Sequence, residues 1–236
     1  MDIVFLITTY NRPESCQRLV DSLQGLGRIV VVNDGCDYVI NGCTQLFSTP
    51  HLGKGGYFFL VNKLWSAKGN HKYYMMLPDD FLISQEQINE AIRIWEGIHD
   101  PKKVCLNLFA DRIGVACWTH VLPKDCGSVW QTGWVDMCFL CESSFFAIIP
   151  RVELFFRNRS RGGSGVGAFI SIKLVKRGLH LYQVKESLVS PQEEHCTSQM
   201  HNQDQVKYGN SRRHRIHSRT RTSTLQGGRQ HRRPSR

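Results

Sequence analysis

Residues 73–81 read Tyr-Tyr-Met-Met-Leu-Pro-Asp-Asp-Phe, five residues of buried-strand character that run into a proline and two adjacent carboxylates. Carboxylates are rarely buried unless paired or metal-bound, so a pair placed where an apolar strand surfaces calls for a cation beside it. Hard divalent ions such as Mg²⁺ and Mn²⁺ take oxygen ligands, commonly one or two carboxylates plus substrate phosphates. Pro78, Asp79 and Asp80 also make an ordinary strand-end turn. The segment alone leaves both readings open, and the elements around it weigh between them.

Residues 2–8 form a near-continuous apolar run, the pattern of a strand buried on both faces of a parallel sheet. Pro13 and Glu14 suit the first turn of a helix, with Asn11 or a neighbour as its cap. Leu19, Val20, Leu23 and Leu26 then recur at helical spacing. Residues 28–32 are a second apolar strand, stopped by Asn33-Asp34-Gly35. Such a strand–helix–strand unit is parallel and right-handed. Further strands are expected near 46–47, 73–77, 104–108, 137–140 and 179–184. Helices are expected after Gly53, from the capping box Ser84–Gln87 to about Ile98, around 143–149, and over Phe169 to Val175. This alternation predicts an α/β domain with a mainly parallel sheet.

Charge divides the chain. Of the 30 Lys and Arg, ten lie beyond residue 204, where there is no acid; the 20 before that point balance all 20 Asp and Glu. From about residue 190 periodicity gives way to Gln, Ser, Arg and His, which predicts a basic, disordered tail over 191–236. Arg-rich segments of this kind contact nucleic-acid phosphates, or anionic surfaces, with a steep salt dependence. Nine scattered cysteines suit reduced thiols better than a disulfide framework. The pair Cys138-x-x-Cys141 lacks partners at zinc spacing and reads as core thiols. The first residues lack the basic start of a signal peptide, and no run approaches the ~18 apolar residues of a membrane span. A cytoplasmic protein without integral membrane association is the expectation.

Polar clusters follow three of the parallel strands, at the edge where open α/β sheets bind ligands. In order and spacing, Thr9-Tyr10-Asn11-Arg12-Pro13, Val30-Val31-Val32-Asn33-Asp34-Gly35 and Asp79-Asp80 resemble the nucleotide-sugar-dependent glycosyltransferases of the GT-A fold, family 2 type. The resemblance continues through Gly178, Tyr182 and Ser187-Leu188-Val189, covering about residues 2–190. It implies a domain over 1–190 with a Rossmann-like nucleotide half (1–110) and an acceptor half (111–190). It also implies Mn²⁺ or Mg²⁺ and inverting transfer from a nucleoside diphosphate sugar, with a UDP-sugar as donor.

Carried over by residue, the resemblance places Thr8, Thr9, Tyr10, Arg12 and Asp79 at the nucleotide sugar. It puts Asp34 on the base or ribose, and Lys54 of Gly53-Lys54-Gly55-Gly56 near phosphate. Asp80, with Asp79, would hold the metal, although Pro78 replaces the first acid of the commoner pattern. His195 or His201 would supply a third metal ligand. The acidic pair that often precedes the last helix is replaced by Gly163-Ser164-Gly165-Val166-Gly167-Ala168, so another carboxylate must act as base. Asp136 is the first choice and Glu142 the second. Trp130 and Trp134 would form an acceptor-binding wall suited to an extruded base. The compact size and the region from Gly163 to Val189 are similar to bacteriophage-encoded transferases that glycosylate hydroxymethylated DNA bases, which implies DNA as acceptor and partner. Competing expectations are a polysaccharide or lipid acceptor, a nucleotidyltransferase using the same metal edge, and a non-catalytic nucleic-acid-binding protein on a degenerate GT-A fold.

Overall fold

A computed structural model describes residues 1–35, 37–48, 51–110, 119–153 and 165–192, with the backbone alone for Lys54. All of them belong to one unit, Met1–Thr197. In chain order the elements are β1 (Ile3–Thr9), α1 (Pro13–Ser22), β2 (Arg28–Asp34), β3 (Thr44–Ser48), α2 (Gly53–Ala67), β4 (Tyr73–Pro78), β5 (Phe81–Leu82), α3 (Gln85–Gly97), β6 (Lys103–Asn107), β7 (Lys124–Asp125), β8 (Val129–Thr132), β9 (Phe139–Glu142), α4 (Ser144–Ile148), α5 (Val166–Val175), β10 (His180–Val184) and β11 (Ser190–Pro191).

The apolar runs do what their lack of alternation requires. Every residue of β1 is buried, because the strand lies inside the sheet and is covered on both faces. Ile3, Phe5 and Ile7 pack beneath α1 and α3 with Leu19, Leu23, Ile88 and Trp95. Val4 and Leu6 point the other way, to Leu60, Trp65, Phe145 and Ile170 from α2, α4 and α5. The result is three layers, helix–sheet–helix.

Nine strands form the sheet in the order β3-β2-β1-β4-β9-β6-β10-β8-β7. The first four are parallel to one another, and seven of the nine run the same way; β8 and β9 are reversed. The expected mainly parallel sheet is therefore present. Its two sequence halves interleave, because β9 is inserted between β4 and β6 of the first half. Such an insertion leaves no periodic signature, since a short buried strand reads alike in either direction.

Helix α3 starts with the expected capping box: Gln87 N–H donates to Ser84 Oγ at 3.3 Å and Ser84 N–H to Gln87 Oε1 at 2.8 Å. Helix α1 has a neighbour of Asn11, Arg12, at its cap position, as expected, but no side chain caps it. Asn11 itself adopts a left-handed φ of 52°. Asparagine tolerates that region better than most residues, and the turn swings Arg12 inward beneath the sheet edge. Cys105, Cys138 and Cys141 are buried free thiols, as expected of core cysteines. Among the described residues no helix is long and apolar enough to cross a membrane.

Candidate active site

Strands β2, β1 and β4 lie side by side and end level, with Thr9 opposite Asn33 and Thr8 opposite Pro78. Their carboxyl ends thus bring Thr8, Thr9, Tyr10, Asp34, Asp79 and Asp80 to one edge. Arg12 Nη2 lies 2.6 Å from Asp79 Oδ1, and Arg12 Nη1 lies 3.5 Å from Asp80 Oδ2. The side chains of Arg12 and Asp79 are each 2% exposed and that of Asp80 17%. Burial pushes the Asp79 carboxyl up to about 6, against the opposing pull of the Arg12 guanidinium and the Thr9 hydroxyl. Arg12, expected at the nucleotide, is instead the buried counter-charge of the carboxylates.

These two carboxylates share the Arg12 guanidinium. Asp80, the member that reaches solvent, offers the hard oxygen donor that Mg²⁺ or Mn²⁺ takes beside substrate phosphates. That donor chemistry fits the implied metal, although the described residues contain no cluster of three His, Cys, Asp or Glu. The expected third ligands His195 and His201 lie outside the described residues, as does the 191–236 tail beyond Gln192.

Alternation along β1 separates its two threonines. Thr9 faces inward and shares a 2.8 Å hydrogen bond with the Tyr38 hydroxyl, so it does not reach a nucleotide at the edge. Thr8 faces α2, with its hydroxyl 3.4 Å from that of Tyr57. The Tyr57 hydroxyl is pushed well above the usual phenol range, first by burial and then by the charges of Asp136, Asp79 and Asp80.

Asp34 is committed to the chain itself. Its Oδ1 accepts from Leu52 N–H at 2.8 Å and Ser48 Oγ at 3.3 Å, and its Oδ2 accepts from Gly53 N–H at 3.0 Å. The carboxylate thus anchors the start of α2, where backbone donors are otherwise unsatisfied. His51 Nδ1 lies 2.8 Å from Oδ2, and its ring stacks on Tyr10 with centroids 4.0 Å apart and planes 14° from parallel. Lys54 stands in the first turn of α2; its side chain lies outside the described residues.

Asp136 is exposed on the loop between β8 and β9, and Asn107 at the end of β6 fixes that loop. Asn107 Nδ2 donates to the Trp134 carbonyl at 2.7 Å, and Asn107 Oδ1 accepts from Asp136 N–H at 3.1 Å. Ser171 of α5 accepts from Val135 N–H at 2.9 Å. Trp134 lies over the start of α5, where a Cβ added to Gly167 would meet its ring at 3.3 Å.

Two expectations fail on topology. Glu142 pairs with Tyr73 at the start of β4, six residues or about 20 Å along the strand from Asp79. There it accepts from Trp95 Nε1 at 2.8 Å, so it cannot be the base. Trp130 lies on β8, four strand spacings or about 19 Å across the sheet from β4. Lys185 covers its ring at 5.0 Å. The Gly163-Ser164 part of the substituted acidic site falls outside the described residues.

One residue of this site went unforeseen. Gln192 Nε2 donates to the carbonyls of Ser15, Asp79 and Phe81, and its N–H donates to the Asp80 carbonyl at 2.7 Å. Arg18 Nε donates to its Oε1 at 2.9 Å, and β11 pairs with β5 alongside. The segment after β10 thereby straps down the carboxylate loop.

No protein-family model matches the chain, and no curated protein matches its sequence. Solved structures do match. One is GalNAc-T7, crystallised with UDP, GalNAc and Mn²⁺, with a TM-score of 0.58 and 14% identity over 78% of this chain and 42% of that one. Another is S. aureus TarS, with a TM-score of 0.52 and 12% identity over 80% of this chain and 36% of that one. A third is S. aureus TarS 1–349 with UDP-GlcNAc, with a TM-score of 0.51 and 11% identity over 80% of this chain and 57% of that one. This chain thus spans well under two thirds of each. The likeness is one of fold, and the fold is that of the GT-A glycosyltransferases.

Proposed function

We propose that this protein is an inverting glycosyltransferase that moves a sugar from a UDP-sugar to a hydroxyl acceptor. The observation that carries the reading is the Arg12-held pair Asp79 and Asp80 at the carboxyl edge of the sheet, with Asp136 on the loop that Asn107 holds at the same edge. The GT-A neighbours crystallised with UDP or UDP-GlcNAc support the choice of donor.

In this reading the base lies against Tyr10 and the diphosphate runs past Thr8 toward Asp80. Asp80, with Asp79 behind it, is the residue that would hold Mn²⁺ or Mg²⁺, whose charge when bound offsets the negative charge developing on the leaving diphosphate. Arg12 and Gln192 keep the two carboxylates in place. Asp136 takes the proton of the acceptor hydroxyl. The acceptor oxygen then bonds to the anomeric carbon as its bond to the diphosphate oxygen breaks on the opposite face, and the electron pair leaves with UDP.

For the acceptor we favour a 5-hydroxymethylpyrimidine in DNA. Its support is a property of the sequence, the ten uncompensated positive charges beyond residue 204, which suit a polyanion. Neutral polysaccharide and lipid acceptors would leave that charge without a counterpart.

The test is a panel of nucleotide sugars with Mn²⁺, Mg²⁺ or EDTA, with and without DNA containing 5-hydroxymethylpyrimidines, read by mass spectrometry of digested nucleosides. Added sugar mass on the base, absent with Asp80→Ala, is the expected result. Donor hydrolysis without DNA modification would retain the transferase and reject the acceptor. No donor binding and no turnover would reject both and leave a nucleic-acid-binding protein on this fold.

A further inference from the structure

His51 lies where the proposed nucleobase would lie. A carboxylate offers about four lone-pair positions, and the fixed chain already takes three on Asp34 through Ser48, Leu52 and Gly53. The fourth is held by the His51 side chain, which is 37% exposed. The same imidazole covers a face of Tyr10 as a nearly parallel ring. Its Nδ1 faces two acceptors, Asp34 Oδ2 at 2.8 Å and the Asp34 carbonyl at 3.0 Å, so Nδ1 carries the proton. A flat ring stacked on Tyr10 and pointing an N–H at Asp34 presents the features of a pyrimidine base that has a ring N–H.

We infer that His51 plugs the nucleobase position and swings out when a uridine nucleotide binds, so that it competes with the base for both Tyr10 and Asp34. The inference rests on the reading that the donor's base sits on Tyr10. The local backbone suits a side-chain movement. Gly35, with φ +81°, passes so close to His51 that an added Cβ would lie 2.6 Å from its Cα. Residue 51 is thereby pinned at its backbone, while rotation about its side-chain bonds moves the ring toward solvent.

The experiment is calorimetric titration of the full chain and its His51→Ala, His51→Phe and Tyr10→Ala variants with UDP, UMP and ribose 5-phosphate. Removing the competing ring is expected to tighten UDP and UMP roughly tenfold, the scale of one stacked pair plus one charge-assisted hydrogen bond. Ribose 5-phosphate, which has no base, is expected to bind both proteins equally. His51→Phe keeps a ring but loses the N–H, and is expected to fall between the two. Equal or weaker UDP binding by His51→Ala overturns the plug, as does a gain shared by ribose 5-phosphate. If wild type binds UDP and Tyr10→Ala changes nothing, the base is not on Tyr10; the plug fails while the transferase reading stands. If no variant binds any uridine nucleotide, that reading fails first and takes the plug with it.

Discussion

Taking two adjacent carboxylates out of water costs several kcal/mol per ion before any pairing, and at this edge the Arg12 guanidinium offsets that cost. Replacing Arg12 by methionine keeps most of the volume and leaves Asp79 buried without its cation. The expected loss is about 3–5 kcal/mol, the usual result of removing one partner of a buried pair, read from urea unfolding at pH 7.5. A change below about 1 kcal/mol would mean that the pair is not buried in solution. Asp136 stands at the opposite extreme. It is exposed, and its Oδ1 accepts from Met137 N–H at 2.7 Å. Asp136→Asn should leave stability within about 0.5 kcal/mol, as surface substitutions do. It should lower transfer by roughly 10²–10⁴-fold, the scale of general-base catalysis. Equal activity in the variant would remove Asp136 from the mechanism. These two residues differ in how far sequence could place them. The exposure of Asp136 suits the polar loop that its sequence neighbourhood suggests, whereas the inward turn of Arg12 follows the left-handed Asn11, which the sequence allows but does not require.

At the scale of elements, apolar runs and caps announced the strands and helices that carry the carboxylate edge, because each signal is local. What sequence could not show are the clamps between distant segments. Gln192 reaches Ser15 across 177 residues, and Asn107 holds a loop 27 to 29 residues away. Glu142 misled for the same reason. It follows Asp136 closely in the chain, but β9 runs away from the edge and carries it to the far end of the sheet. Gln192→Ala strips the carbonyls of Asp79, Phe81 and Ser15 of a shared buried donor and should cost about 1–3 kcal/mol. If it positions the carboxylates as well, kcat should fall more than stability loss explains at a temperature where the variant is fully folded. A second clamp joins the turn before β6 to β10. Asp100 accepts from the Tyr182 hydroxyl and His180 Nδ1, each at 2.6 Å, and from Lys102 N–H at 2.9 Å. Burial raises its carboxyl, but these three groups outweigh that and bring it down to about 2. A carboxylate depressed on folding stabilises above its unfolded value near 3.8 and stops doing so as pH falls through about 2. Asp100→Asn should therefore melt below wild type at pH 7, and the gap should close between pH 4 and pH 2. A gap that persists at pH 2 would assign the loss to packing instead of charge.

For the whole molecule, the proposed function assigns the two unevenly charged parts of the sequence to separate tasks, and that division is testable. Residues before 205 carry no net formal charge, and all ten excess cations follow. A neutral body has little long-range attraction for a polyanion, so donor chemistry at the carboxylate edge should be insensitive to changes in that terminal segment. Acceptor capture should not be. Ten cations neutralising phosphates would give a log–log salt slope of up to about −9 on duplex DNA. Replacing the nine arginines beyond residue 204 with glutamine in the full chain leaves Lys207 and should bring the slope to about −1. Sugar-nucleotide hydrolysis without DNA is expected to be unchanged in the same variant, which controls for folding of the body. Transfer to hydroxymethylated DNA should then fail through a rise in KM for DNA at constant kcat, since the basic segment concentrates the acceptor without touching the reacting atoms. A shallow slope in the unaltered protein would show that the charge does not bind DNA, and the acceptor would have to be sought among neutral hydroxyl compounds. A fall in kcat at saturating DNA would instead place part of the terminal segment in the catalytic step, which predicts that hydrolysis without DNA should also change.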